Sequence, residues 1–154
     1  MHSRIFQIEK ESIPKEDYIT ADCIPDWFTY SIADYVSDDC DREDDINWLI
    51  ESDLEDIASV IGDKLIFTSN TRSYFKSNYE TFIKAAKELS EATIDNFIDG
   101  YPVSTPLYKL KTSFNDGYGF YVYHNDSLWT LDEFMRTVKD GEVYYIGGTV
   151  DYHF

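Results

Sequence analysis

The sequence predicts an α+β fold: a single domain in which a mostly antiparallel sheet, built from an N-terminal strand, a C-terminal hairpin and the last strand, packs on helices. Three observations carry that expectation. Apolar positions recur at helical spacing through the middle of the chain and give way to strand-like runs near its two ends. Asn115-Asp116-Gly117, flanked by two runs rich in apolar residues, is a local signal for a tight β-turn. Finally, Tyr118, Tyr121, Tyr123, Tyr144, Tyr145 and Tyr152 fall in strand-like segments, where large amphipathic rings suit a half-buried face.

Residues 4–9 alternate weakly and precede Ile13-Pro14, which reads as a short strand and its turn. Pro25-Asp26 opens a helix that places Phe28, Ile32, Tyr35 and Val36 on one side and stops near Val36. The charge run over residues 37–45 leads into a second helix with Ile46, Leu49, Ile50, Leu54, Ile57 and Ile61 at helical spacing, closed by Gly62. Leu65-Ile66-Phe67 is a brief strand. Residues 71–99 form one long helix, or two with a break near Ser90, with Phe82, Ala86, Leu89 and Phe97 facing inward and Gly100 and Pro102 as stops. Residues 107–114 and 118–124 then make the hairpin. Thr130-Leu131-Asp132-Glu133 is a capping box that starts a short helix, and residues 143–152 form the last strand, bulged at Gly147-Gly148.

A chain of 154 residues is one domain's worth, and 43% apolar with 17% aromatic residues is enough to offset the entropy of folding. Its 13 basic and 30 acidic side chains give a net charge of -17, so nucleic acid and anionic membranes repel it, and direct DNA or RNA binding is excluded first. There is no apolar run of signal-peptide or membrane-spanning length. Cys23 and Cys40 each follow an aspartate, which disfavours the thiolate, so they are expected to be reduced structural thiols in a cytoplasmic protein.

No motif announces a reaction. His2, His124 and His153 each lack a second ligand or base at a recognisable spacing, and no cofactor or metal is expected. A pair such as Cys23 with His124 is something only the fold would bring together. The aspartate-rich run fails the calcium-loop test: starting at Asp39 puts Asp44 where the turn glycine belongs and Ile50 where the glutamate belongs. Gly147-Gly148 and Gly117-Tyr118-Gly119 lack the helix and lysine of a phosphate loop.

Charge distribution is the one unusual feature. Residues 34–63 hold 12 acidic side chains and a single basic one, Arg42. Asp38, Asp39, Asp41 and Glu43 lie in the charge run, and at 100° per residue Asp44, Asp45, Glu51, Glu55 and Asp56 fall opposite the apolar side of the second helix. A second row, Glu88, Glu91, Asp95 and Asp99, lies on the long helix although carboxylates oppose the dipole at a helix C-terminus. A local cost without local gain is a sign of function. These thirteen carboxylates are the candidate partner-binding residues of a non-enzymatic acidic domain. Its partner would be a basic protein surface, in the specific form a restriction- or CRISPR-type nucleic-acid-binding enzyme inhibited by nucleic-acid mimicry. A generic acidic interaction module and an enzyme without a recognisable motif are the competing readings. A decoy should bind with steep salt dependence, a generic module should show an apolar patch, and an enzyme a concave pocket with converging polar groups.

Overall fold

The computed structural model describes all 154 residues, in the order β1 (His2–Glu9), two single 3-10 turns, α1 (Asp26–Ser31), β2 (Tyr35–Ser37), α2 (Arg42–Ser52), β3 (Ala58–Ile61), β4 (Lys64–Phe67), a 3-10 turn at Thr71–Phe75, α3 (Lys76–Ser90), α4 (Ile94–Asp99), α5 (Tyr101–Phe114), β5 (Tyr121–His124), β6 (Ser127–Thr130), α6 (Leu131–Thr137) and β7 (Val143–His153). The fold class is α+β. The chain forms two compact units, one made of Met1–Tyr74 with Tyr118–Phe154 and the other of Phe75–Gly117. No helix is long and apolar enough to cross a membrane.

The first unit holds the whole sheet, ordered β3-β4-β7-β1-β5-β6, with β2 also on β7. Every pairing is antiparallel except β1 with β5. On the side away from β1, β7 meets β4 through Val143, Tyr144 and Tyr145 and β2 through Asp151, Tyr152 and His153. The edge between those stretches is closed by a side chain: Arg42 donates from Nε to the Gly147 carbonyl (2.6 Å) and from Nη2 to that of Ile146 (2.8 Å). The β1–β7 register shifts between Phe6 and Ile8, opposite Gly147-Gly148, so the predicted bulge is present. Gln7 fills it, with Oε1 accepting from the Gly148 and Ile19 amides at 3.0 Å. A Cβ on Gly148 would lie 2.7 Å from the Ile19 carbonyl oxygen, which is why this close approach requires glycine.

Alternation along the strands puts Ile5, Tyr121, Val150 and Tyr152 on one face, where they pack with Ile19, Ile24, Phe28 and Ala33 of the first connection. Phe28, Tyr121 and Tyr152 meet edge to face at centroid distances of 4.9–5.8 Å. On the opposite side Phe6, Phe120 and Trp48 of α2 form a second aromatic chain.

Several sequence expectations are corrected. The first helix ends at Ser31, because Tyr35 and Val36 are taken up by β2 in its ladder with β7. The second helix starts at Arg42 and ends at Ser52 rather than running to Ile61. Residues 58–61 pair with β4 instead, and Gly62 (φ 63°) turns that hairpin rather than capping a helix. The hairpin expected over residues 107–124 is not formed: residues 107–114 belong to α5, which Asn115 terminates. The C-terminal hairpin lies one step on, β5 to β6, turning at Asn125-Asp126, both at positive φ as a type I′ turn requires. Of the two forms foreseen for residues 71–99 the broken one occurs, since Thr93 and Asn96 build a capping box that starts α4 afresh. The Thr130–Glu133 capping box starts α6 as expected.

In the helical unit α3 packs on α5 and α4 on α5. Ala85 and Pro106 are the buried residues, and Phe82 and Leu89 are half-buried. Phe97, expected to face inward, is 71% exposed.

Candidate protein-binding surface

Charge divides sharply between the units. The sheet unit carries 24 acidic and 8 basic side chains, a net -16, whereas the helical unit carries 6 and 5, a net -1. The acidity gathers where β2, the loop after it and α2 meet the β7 edge.

Twelve of the thirteen candidate carboxylates are exposed: Asp38, Asp39, Asp41, Glu43, Asp44, Glu51, Glu55, Asp56, Glu88, Glu91, Asp95 and Asp99. Asp45 is the correction, only 3% exposed. Its Oδ1 accepts from Arg4 Nε at 2.6 Å and its Oδ2 from the Thr149 hydroxyl at 2.8 Å, so it belongs to the core and not to the outward face. Glu55 and Asp56 also leave the proposed helix face, because α2 has ended before them; Asp56 sits in the following turn at φ 63°. The second row is likewise not one straight stripe: Glu88 is on α3, Glu91 just past its end, and Asp95 and Asp99 on α4.

Two of the exposed residues also hold local structure. Asp41 caps α2, its carboxylate accepting from the Glu43 and Asp44 amides. Asp38 accepts from the Ala21 amide at 2.6 Å. Arg42, the one base of the segment, is spent on the β7 carbonyls and on Asp63 (2.7 Å), so it offsets little of the outward charge.

Beside this surface lies an open groove of about 660 Å³. Its floor is Arg4 of β1, held between Asp45 and Asp151 of β7; Arg4 Nη1 donates to Asp151 and to the Ser3 carbonyl. His2 Nδ1 lies 3.0 Å from Asp151 Oδ2. Half-exposed Tyr35 of β2 and Trp48 of α2 contribute the aromatic lining, with Ser37 and Asp39 on the rim. Tyr35 stacks on His153 at 5.3 Å, and the Arg4 guanidinium carbon is 5.4 Å from the Trp48 ring centre. Cys40 Sγ bonds the Thr149 carbonyl behind the groove, and burial, reinforced by Asp45 and opposed by the Thr149 hydroxyl, pushes its thiol up. Both cysteines are free thiols.

The helical unit offers a different surface. Ile94, Phe97 and Ile98 follow i, i+3, i+4 on α4 and are 70–76% exposed, an apolar face with Asp95 and Asp99 on its other side, and Tyr101, at the start of α5 past the break at Gly100, is 77% exposed.

His124 Nδ1 lies 2.7 Å from the Ile8 carbonyl and 3.1 Å from Glu9 Oε2, and its Nε2 lies 2.9 Å from the side-chain Nδ2 of Asn125. No three His, Cys, Asp or Glu side chains converge as a metal site would require.

Sequence reasoning missed Arg4, Trp48, Tyr35 and Asp151. A signal existed for two of them: Arg4 and Asp151 are charges next to apolar residues inside the first and last strand-like segments, and charges buried there are stable only as partners. Comparison with family models, with curated proteins and with solved structures gives no match to this chain.

Proposed function

We propose that this protein is a non-enzymatic, acidic protein-binding domain that presents a carboxylate surface to a basic partner, in its specific form as a decoy for the phosphate backbone of nucleic acid. One observation carries the reading. Between β2 and β4 the carboxylates point outward almost without exception, while the segment's only base is turned inward onto β7. Such a surface attracts a nucleic-acid-binding groove and repels nucleic acid itself. A restriction- or CRISPR-type enzyme is the class of partner that fits, and the free thiols accord with a cytoplasmic setting.

The apolar face of α4 favours a second reading, a general interaction module that binds through Ile94, Phe97 and Ile98. The two readings separate in a pull-down from lysate at about 50 mM and 500 mM salt, with the retained proteins identified. Binding through carboxylates is lost at high salt, where the Debye length falls to a few ångströms, whereas apolar docking survives it. Retention of a basic nucleic-acid-binding protein at low salt only supports the decoy; retention that is insensitive to salt supports the module.

A further inference from the structure

From the groove between β1, β2 and α2 we infer that it is an anchor site for a guanidinium group, the side chain of an arginine on the basic partner. The inference rests on the proposed reading of the acidic surface and names the contact that makes it specific. Charge points to a cation: Asp45 and Asp151 are both buried, at 3% and 5% exposure, yet share one guanidinium, that of Arg4. With the His2 imidazole, 3.0 Å from Asp151 Oδ2, in its neutral form, the pair therefore outweighs its counter-ion by one charge. Asp39 on the rim adds another, and its carboxylate has no partner within the protein.

Shape and chemistry narrow the cation to a planar one. Tyr35 and Trp48 are half-exposed rings bordering the groove, and Trp48 already holds the Arg4 guanidinium against it at 5.4 Å. A guanidinium stacks on such rings and forks onto a carboxylate with two parallel hydrogen bonds, which an ammonium does not do. At about 660 Å³ the groove has room for an arginine side chain together with the backbone that carries it. An anion would have to displace carboxylates already bonded to Arg4 while facing Asp39, so Arg4 serves as a floor and not as the receptor.

The test is a titration of the ¹⁵N-labelled full chain with the peptide acetyl-Gly-Arg-Gly-amide, with its citrulline counterpart, which keeps the shape and loses the charge, and with acetyl-Gly-Glu-Gly-amide. The expected result is a saturable shift of the Trp48 indole signal and of the Tyr35 and Asp39 amides with the arginine peptide. The citrulline peptide should bind at least tenfold more weakly. Asp39→Asn, an exposed change that removes no internal bond, should weaken arginine binding at least threefold, and Glu88→Gln on the other unit should leave it unchanged. Non-saturating shifts, equal binding of citrulline, indifference to Asp39→Asn, or stronger binding of the glutamate peptide would each overturn the assignment. The two proposals fail separately. A basic partner captured in a salt-sensitive way with a silent groove removes the anchor alone, whereas a saturable groove without any basic partner removes the decoy alone.

Discussion

Replacing Asp45 by alanine should destabilise the protein severely, while replacing its exposed neighbours should not. The side chain is almost fully buried and accepts a charge-assisted hydrogen bond from Arg4 and a neutral one from Thr149. Removing them forfeits roughly 1.5–3 kcal/mol for the first and about 1 kcal/mol for the second. Breaking a buried ion pair costs about 3–5 kcal/mol in general, but Arg4 keeps Asp151 as a counter-ion, which sets the expectation at the lower end, ~3 kcal/mol. With a urea m-value of ~2 kcal/mol/M, the unfolding midpoint falls by ~1.5 M. Glu51→Gln is the control. It lies in the last turn of the same helix, is exposed, and opposes the helix dipole, so it should change stability by less than about 0.5 kcal/mol or raise it. Urea denaturation followed by far-UV circular dichroism decides the matter. An Asp45→Ala midpoint equal to that of the control would mean that the carboxylate faces solvent and that the Arg4 cluster does not anchor α2 to the sheet.

Three further outcomes follow from the same structure. Gly148→Ala should cost about 1–3 kcal/mol or more, because the added Cβ meets the Ile19 backbone, whereas Gly117→Ala adds a methyl to open space; thermal melts of the two variants make the comparison. At pH 7 a maleimide should label exposed Cys23 at least tenfold faster than Cys40, whose thiol is held up by burial, and labelling at equal rates in the native state would contradict the described packing. Glu142→Gln should lower stability at pH 7 by ~1 kcal/mol, with the gap closing as pH falls. Burial raises the Glu142 pKa, but hydrogen bonds from Tyr144 and the Lys139 amide, together with Lys10, outweigh it and leave the pKa lowered. A carboxylate lowered in the folded state stabilises above its ordinary pKa of about 4.3 and loses that contribution as pH falls through the folded value. A gap that widens on acidification would contradict this.

The parts of the fold that local chemistry decides were legible. The capping box at Thr130 and the bulge at Gly147-Gly148 depend on hydrogen bonds and backbone freedom within a few residues, and both stand as read. The segment over residues 107–114 was not legible, since its apolar pattern is short enough for either state. The packing of α5 on α3 decided it, while the strand after it found β1 as a parallel partner, which no hairpin signal encodes. The candidate surface shows the same division. Exposure of Asp38, Asp39, Asp41, Glu43 and Asp44 follows from a run too charged to pack, and it is observed. Asp45 was misplaced because the helical wheel was drawn over residues 46–61, of which only the first part is helical; the true inward face of α2 carries Asp45, Ile46 and Leu49. The pull inward comes from Arg4, far away in sequence, whose charge has to be met where β1 is covered.

The central claim, that exposed carboxylates of the sheet unit recognise a basic nucleic-acid-binding partner, is tested most directly by the affinity for the captured partner against salt, with and without duplex DNA as competitor. The variant combines Asp39→Asn, Glu43→Gln, Asp44→Asn, Glu51→Gln and Glu55→Gln, and leaves Asp38, Asp41 and Asp45 in place because their carboxylates hold local structure. The expected result is at least tenfold weaker binding for the variant, a shallower dependence of log K on log salt, an unchanged or higher melting temperature, and displacement of the wild-type protein by duplex DNA. Equal affinity and equal salt slope for the two proteins, with no competition by DNA, would contradict it.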